Sequence, residues 1–203
     1  MDAFLYKKEI DNNEVVDLRI TPVIKTLMLK SEQGVIAKGA VLARNNSGEV
    51  ILHKEYAAID LSGTVNATNK AFTYDGAGFD TELSPRTVKV VHGDQELFDD
   101  GCGRLYGDGS GTVNYVTGAI SATLSEAPAE DSGSPTVVAK TIPIAVALRS
   151  ADTSLNDESE AKDDAISAVV FGAVIRDRVS VGGEVLSNED EALLSKSGIF
   201  ALS

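Results

Sequence analysis

The chain has 203 residues, which corresponds to one or two domains and is enough to bury a hydrophobic core without disulfides. Its 31 acidic and 18 basic residues give a net charge of -13, which argues against binding to nucleic acid or to an anionic membrane surface. A hydrophobic fraction of 43% is that of a globular protein, and the single cysteine, Cys102, excludes an intrachain disulfide.

The N-terminal sequence MDAFLYKKEI lacks the basic region and apolar stretch of a secretory signal. The apolar runs at 142–148 and 165–175 are too short for a membrane helix. With the lone cysteine, these features predict a protein that folds in a cytoplasm. We interpret the glycosylation sequences at Asn45 and Asn66 as chance occurrences.

The first half of the chain predicts an arm followed by β-strands. Residues 1–20 combine weak periodicity with a long polar stretch, which is typical of an N-terminal arm. Residues 23–56 alternate short apolar clusters with turn signals such as Asn46-Ser47-Gly48, and this pattern predicts strands.

Strands become shorter and turns denser between residues 62 and 140. Residues 87–91 predict a strand with Val88 and Val90 on one face, turned by Gly93-Asp94. Residues 99–111 predict a glycine-rich loop. Residues 112–124 predict a hairpin with a two-residue turn at Thr117-Gly118. Its inward residues are predicted to be Val113, Tyr115, Ile120, Ala122 and Leu124.

The last third of the chain has a different pattern. Residues 142–148 predict a strand, and residues 167–175 predict a central strand or a strand at an interface because they are apolar on both faces. A short helix is predicted from Asn188 to Ser197, with Asn188 as its cap, Glu191 as the capping-box partner and Gly198 ending it.

No catalytic or zinc-binding pattern stands out. His53 and His92 lack further ligands at close spacing, and we interpret both as surface imidazoles. Ser110 resembles the serine of a hydrolase elbow only in composition, because a strand rather than a helix follows it. The same loop lacks the lysine of a phosphate-binding loop, and nothing near Cys102 would activate its thiol.

Two acidic groups leave alternatives open. Asp94, Asp99, Asp100 and Asp108 are candidate calcium ligands, although aspartate and glycine are also the ordinary residues of β-turns. The acidic run at 152–164 is interpreted as a solvated loop or as a surface for a basic partner.

Several segments of the two ends of the chain match one family in order. Residues 34–42 read GVIAKGAVL, residues 142–148 read IPIAVAL, and the strand 168–175 is followed by EALL at 191–194 and GI at 198–199. Together these segments resemble the lambda-type decoration proteins of bacteriophage heads. They cover residues 23–56 and 141–203.

A second resemblance lies between these segments. Residues 64–74 read TVNATNKAFTY, residues 87–90 read TVKV, and residues 99–118 read DDGCGRLYGDGSGTVNYVTG. This pattern is similar to a β module common in phage structural proteins, and its glycines would permit tight hairpin turns.

The resemblances imply a mainly β fold. It would consist of an α+β body of the decoration-protein kind, with one short C-terminal helix, and an inserted antiparallel β-sandwich or barrel. The implied parts are an arm at 1–20, a discontinuous body at 21–61 and 141–203, and an insert at 62–140.

The resemblances also imply a structural virion protein without enzymatic activity or cofactor. It would bind the major capsid protein on the outside of the expanded head, as homotrimers at local three-fold positions, and stabilise the head against DNA pressure. No metal, nucleic acid or membrane partner is expected, and the insert is a candidate for host-surface or glycan contact. From their apolar character alone, we expect the arm to contact the capsid through Phe4, Leu5, Tyr6, Val15 and Val16.

Two other classes of protein remain open. The β module is also similar to parts of tail, baseplate and fibre proteins, which would assemble with tails and not with heads. The other alternative is a carbohydrate- or calcium-binding adhesion module or an enzyme that acts on cell walls. The absence of tryptophan and the five tyrosines weigh against sugar binding, and catalysis would need a pair of carboxylates in a cleft.

Overall fold

Short strands dominate the computed structural model, which describes residues 15–66, 68–129, 132–156 and 165–203. In chain order the strands are β1 (Val16–Asp17), β2 (Val23–Met28), β3 (Val35–Ile36), β4 (Val41–Arg44), β5 (Val50–Leu52), β6 (Glu55–Asp60), β7 (Ala71–Tyr74), β8 (Lys89–His92), β9 (Gln95–Asp99), β10 (Arg104–Gly107), β11 (Gly109–Val113), β12 (Ile120–Leu124), β13 (Thr136–Lys140), β14 (Pro143–Ala147), β15 (Ala151–Asp152), β16 (Ala165–Ile175), β17 (Ser180–Val181), β18 (Glu184–Val185) and β19 (Ile199–Leu202). The helix α1 (Asn188–Lys196) and a 3-10 turn at Arg176–Arg178 are the helical segments of these residues. The predicted mainly β fold is confirmed.

The first sheet is organised around the long strand β16. Its neighbours are β1, β2 and β14 in antiparallel and β19 in parallel orientation, and β4 and β5 extend the sheet beyond β14. Beyond β2 the chain returns to β5, where the Lys30 N–H donates to the Val50 carbonyl at 3.0 Å. The sheet therefore curls until its two ends approach each other.

The first sheet buries a core on each face. One core includes Leu27, Ile36, Leu42 and Ile166. The other lies under α1 and includes Val15, Val41, Val146, Val169, Val174, Leu194 and Ile199. The predicted central strand at 167–175 is confirmed, because β16 contributes to both cores.

The second sheet has eight antiparallel strands in the order β6-β13-β8-β9-β10-β11-β12-β7. Ser62 and Thr73 exchange two backbone hydrogen bonds of 2.7 and 2.8 Å, which join the ends of the sheet into a nearly closed barrel. The inward residues form one core, whose members include Leu61, Phe72, Leu83, Val88, Val90, Leu97, Val113, Ile120, Ala122, Leu124 and Val137. The predicted inward positions on β8, β11 and β12 are thus confirmed.

The two sheets divide the chain near residues 54 and 141. The sequence assigned residues 55–61 to the body, but β6 pairs with β13 and belongs to the second sheet. Where the chain passes between the two sheets, the Thr141 N–H donates to the Lys54 carbonyl at 3.1 Å. The two connections between the sheets therefore run side by side.

The predicted glycine-rich loop at 99–111 is wrong, because β10 and β11 occupy most of it. Gly109, Gly111 and the buried Val113 occupy every second position of β11, so the two glycines face the barrel interior as Val113 does. A Cβ atom on Gly111 would collide with the Ser121 carbonyl oxygen on β12. These glycines allow neighbouring strands to approach closely where the sheet bends, and they serve the strands rather than a loop.

The predicted turn and helix cap also differ from the structure. The connection between β11 and β12 spans 114–119 instead of two residues, and Tyr115 leaves the strand. The helix cap is Ser187, one residue before Asn188, and its Oγ accepts the Asp190 N–H at 3.1 Å. Gly198 follows the helix with φ of 82°, as predicted.

Candidate functional site

The margin of the first sheet along residues 16–28, here called the outer edge, carries several exposed apolar side chains. Within the described residues, β1 and β2 each pair with β16 and with no other strand. Along residues 23–28 the side of β2 away from β16 therefore has no strand partner and is available to another strand, whereas the following residues, Leu29 and Lys30, pair with Val50 of β5. The outer edge has three charged residues, of which Asp17 and Arg19 pair with each other and Lys25 lies on β2.

Apolar side chains project from the outer edge. Ile24 and Met28 are 51% and 60% exposed, and Leu18 and Val23 are also exposed. Ile24 and Leu18 border a groove of about 300 Å³, to which Leu148 contributes from the neighbouring part of the sheet. This combination of open backbone and apolar groove suits the addition of an extended segment from a partner.

The structure changes the interpretation of the arm. Val15 is 2% exposed and belongs to the core under α1, and its carbonyl accepts the Ile175 N–H at 2.8 Å. Val16 is half-buried and pairs with Val174. Both valines are therefore parts of this chain's own sheet and not exposed anchors on a free arm. The other predicted anchors, Phe4, Leu5 and Tyr6, lie outside the described residues.

A hydrogen bond connects the first residues of the outer edge to the C-terminal residue Ser203. Arg19 forms a salt bridge with Asp17 at 2.6 Å, and its guanidinium also donates to the Ser203 carbonyl at 3.2 Å. The pKa of Asp17 is lowered by the hydrogen bonds from Arg19. The turn between β1 and β2 is thereby held in place.

A cluster of polar residues joins the two sheets to α1, and we call it the junction cluster. Lys140, which is mostly buried, lies 2.9 Å from Asp190 Oδ1, 2.9 Å from Glu189 Oε2 and 3.6 Å from Glu55 Oε2. Burial alone would lower the pKa of Lys140, but the hydrogen bonds to Asp190 and Glu189 outweigh it and raise this pKa. Lys140 is therefore a cation that three carboxylates surround.

Asp190 is a buried carboxylate at the first turn of α1. Burial alone raises its pKa, but the hydrogen bond from Ser187 and the neighbouring Lys140 lower the pKa below its usual value. The Ser187 Oγ donates to Asp190 Oδ2 at 2.6 Å. Asp190 thus links the helix cap to the second sheet.

His53 lies beside this carboxylate and is buried, so its interpretation as a surface imidazole is wrong. Its Nδ1 lies 2.6 Å from Thr141 Oγ1, which also accepts the Lys54 N–H. On the opposite side of the ring, Nε2 lies 3.6 Å from Asp190 Oδ1. Nε2 is the one buried side-chain polar atom of the described residues without a hydrogen bond.

Burial lowers the pKa of His53 more strongly than Asp190 raises it, so the imidazole is neutral in the folded protein. Its side chain is almost fully enclosed, which leaves no path for a substrate atom to reach either nitrogen. Within the junction cluster, His53 packs against Thr141 and Asp190. It has no access to solvent for acid-base chemistry.

A second polar contact between the sheets surrounds Asp80. Its carboxylate accepts a short hydrogen bond from the Tyr56 hydroxyl and lies 3.1 Å from Lys54 Nζ. Burial and this hydrogen bond raise the pKa of Tyr56 to about 12. The Asp80 carbonyl accepts the Asn46 N–H from the first sheet at 2.8 Å. Asp80 is therefore a second polar group that joins the two sheets.

Of the four aspartates considered for calcium, Asp99, Asp100 and Asp108 accept hydrogen bonds from backbone amides. Asp99 accepts N–H groups of Arg86 and Gly101, and the Tyr115 hydroxyl donates to it at 2.5 Å. Asp100 accepts N–H groups from its own turn, and Asp108 accepts the Glu96 N–H. In the part of the chain that the structure describes, no three His, Cys, Asp or Glu side chains gather as metal ligands would.

A groove on the outer surface of the barrel brings two aromatic rings together. Phe98 on β9 and Tyr106 on β10 are paired residues, 41% and 56% exposed, with ring centroids 6.4 Å apart. The groove has a volume of about 760 Å³ and continues to Glu55, Lys140 and Glu189 at the junction cluster. The two rings are eight residues apart in sequence, and only the β9-β10 register reveals that they are neighbours.

The remaining residues considered for chemistry are separate from one another. Cys102 is a free, exposed thiol, and Ser110 lies on β11 opposite Thr123. His92 is half-buried at a hairpin, with its Nε2 3.1 Å from the Ser132 hydroxyl. The structure does not bring these three side chains to one site.

Comparison of the chain with protein-family models, with curated proteins and with solved structures found no match. In residues 15–66, 68–129, 132–156 and 165–203, no helix has the length and apolar character needed to cross a membrane. The functional interpretation therefore depends on the surfaces of this molecule and on the resemblance of its sequence motifs.

Proposed function

We propose that this protein is a structural virion protein that binds the outside of an expanded phage head and stabilises it. The outer edge is the observation that carries the proposal. It offers unpaired backbone groups and a row of exposed apolar side chains, which together suit pairing with a strand of the major capsid protein. The resemblance of the first-sheet segments to head decoration proteins supports the same role.

The proposed mechanism is the burial of surface between neighbouring capsid subunits. A specific interface typically buries about 1,600 Å² in total, and several linked contacts on one particle add avidity to each single contact. Trimers at local three-fold positions would link three capsid contacts in this way. A net charge of -13 keeps free copies apart in solution, which favours assembly on the shell over aggregation.

Co-sedimentation with heads of the phage that encodes the chain tests this proposal. We expect saturable binding to expanded, empty heads at a fixed ratio to the major capsid protein, and no binding to compact proheads. Binding to neither particle would contradict the proposal. Binding to purified tails instead would favour the alternative of a tail, baseplate or fibre component.

A matched pair of variants tests whether the outer edge is the contact surface. The double variant Ile24→Lys/Met28→Lys places two charges on the edge. The control variant Val35→Lys/Val185→Lys makes the same charge change away from the outer edge, at valines that are 69% and 72% exposed. We expect at least about a tenfold loss of head binding in the first variant only, equivalent to about 1.4 kcal/mol. Equal binding by both variants would exclude the outer edge.

A further inference from the structure

The outward faces of the barrel strands β11 and β12 are polar and lie beside the aromatic groove. On β11 and β12 the outward positions are serine and threonine residues, including Ser110, Thr112, Ser121 and Thr123. Phe98 and Tyr106 continue the same cross-strand row, since Tyr106 pairs with both Phe98 and Ser110. Two adjacent exposed rings within a hydroxyl-rich sheet form an apolar platform with polar surroundings.

The platform is held in position by its neighbours. Lys89, which pairs with Phe98, lies with its ammonium 5.3 Å from the Phe98 ring centroid and 2.6 Å from Glu96. Arg86, which also lines the groove, has a φ of 71°, an uncommon backbone conformation for a residue other than glycine. Asp99 stabilises it by accepting the Arg86 N–H at 2.6 Å. The ring faces and the polar rim of the groove are therefore largely preformed.

Hydrogen-bonding groups of both kinds line the groove. Four acidic and three basic side chains contribute to its walls, so that it has no strong excess of either sign. Two of the three cations, Lys89 and Lys140, are already paired with carboxylates. A ligand that depends on a cluster of free cations, such as a polyphosphate, does not fit this arrangement.

We propose that the aromatic groove binds a neutral oligosaccharide. The C–H faces of a sugar ring are apolar and stack on aromatic rings, while its hydroxyls donate and accept hydrogen bonds around the ring edge. The groove supplies both complements, with Phe98 and Tyr106 as the platform and side chains such as Glu55, Arg86 and Glu189 as polar partners. Its volume of about 760 Å³ accommodates several sugar units.

Saturation-transfer NMR with defined tetrasaccharides tests the inference on the full chain. The probes are the tetramers of N-acetylglucosamine, β-linked glucose, α-linked glucose and mannose. We expect saturable binding of at least one of them, and about tenfold or greater weakening in Phe98→Ala and in Tyr106→Ala. Tyr106→Phe should retain most of the affinity, because the proposal assigns binding to the ring face.

Phe200→Ala is the matched control, since Phe200 is 37% exposed on the first sheet, and it should bind sugar as the unaltered chain does. Circular dichroism of each variant verifies that the fold is intact. No binding of any of the four tetrasaccharides would overturn the inference, as would binding that survives both alanine variants. Head co-sedimentation of the same variants separates the two proposals, because loss of sugar binding should leave head binding unchanged.

Discussion

His53 is the residue at which the stability of the molecule is coupled to pH. It is buried in the neutral form, and the groups that face it are Thr141, Asp190, Lys140 and Glu189. A histidine in the unfolded chain has a pKa of about 6.5, whereas burial lowers the pKa of His53 in the folded protein. Below pH of about 6.5 the unfolded state therefore binds more protons than the folded state, and stability decreases as the pH falls.

We accordingly expect the free energy of unfolding to decrease between pH 7.5 and pH 5.5, as measured by urea denaturation at each pH. His53→Gln removes the titrating group and should flatten this dependence. His92→Gln replaces the other histidine of the chain and should retain it. A pH dependence that is the same in all three proteins would contradict the assignment to His53.

The burial of His53 illustrates what the sequence does not reveal at the scale of a residue. Its partners Thr141 and Asp190 are 88 and 137 positions away in the chain, and no local pattern connects them. The same holds for Phe98 and Tyr106, which become a pair only through the register of two strands. By contrast, inward positions such as Val88 and Val90 follow from alternation alone, because a strand has a period of two.

At the scale of elements, the first strand determines how the N-terminal segment should be tested. A deletion of residues 1–20 removes Val15 from the core, the pairing of β1 with β16, and Arg19 with its contact to Ser203. Loss of the buried Val15 side chain alone costs about 1.5–3 kcal/mol. A deletion of residues 1–14 leaves all of these contacts in place.

We therefore expect the chain without residues 1–20 to melt at a lower temperature than the chain without residues 1–14 in differential scanning calorimetry. If Phe4, Leu5 and Tyr6 are capsid anchors, the shorter deletion should also abolish co-sedimentation with expanded heads. Full head binding by the chain without residues 1–14 would exclude these three residues as anchors and leave the outer edge as the contact.

Elements were predictable where hydrophobic periodicity decides the structure. The strands around β8, β14 and β16 and the helix α1 follow from apolar patterns and capping signals. The prediction of a loop at 99–111 was wrong because it treated the glycines as turn residues. Gly109 and Gly111 instead lie in a strand, where the lack of a side chain allows a neighbouring strand to approach. The cap shifted by one residue because Ser187 and Asn188 are both favourable caps, and the bond to Asp190 decides between them.

At the scale of the whole molecule, the two sheets have separate interiors. The cores of the first sheet contain described residues from 15–52 and 144–201, and the core of the barrel contains described residues from 56–139. The junction cluster and the groups around Asp80 are polar contacts that join the sheets. Two units with their own cores and a polar contact are expected to fold independently.

This separation leads to a prediction for the chain without the barrel. Lys54 and Thr141 are joined by a backbone hydrogen bond, so an Asn-Gly turn replacing residues 55–140 would connect them as a hairpin. The shortened chain also needs Asp190→Asn, because the removal of Lys140 would leave a buried carboxylate unpaired. We expect it to unfold cooperatively, bind expanded heads and fail to bind tetrasaccharides.

The complementary fragment, residues 55–140, keeps the whole barrel core, both aromatic rings and the groove residues other than Glu189, and we expect it to fold and to bind sugar without the rest of the chain. Circular dichroism melts of both fragments measure folding, and the two binding assays measure function. If neither fragment folds while the full chain does, the polar contacts are essential to both sheets and the barrel is not an insert. If both fold and each keeps its own binding activity, attachment to the head and recognition of glycans belong to separate halves of one chain.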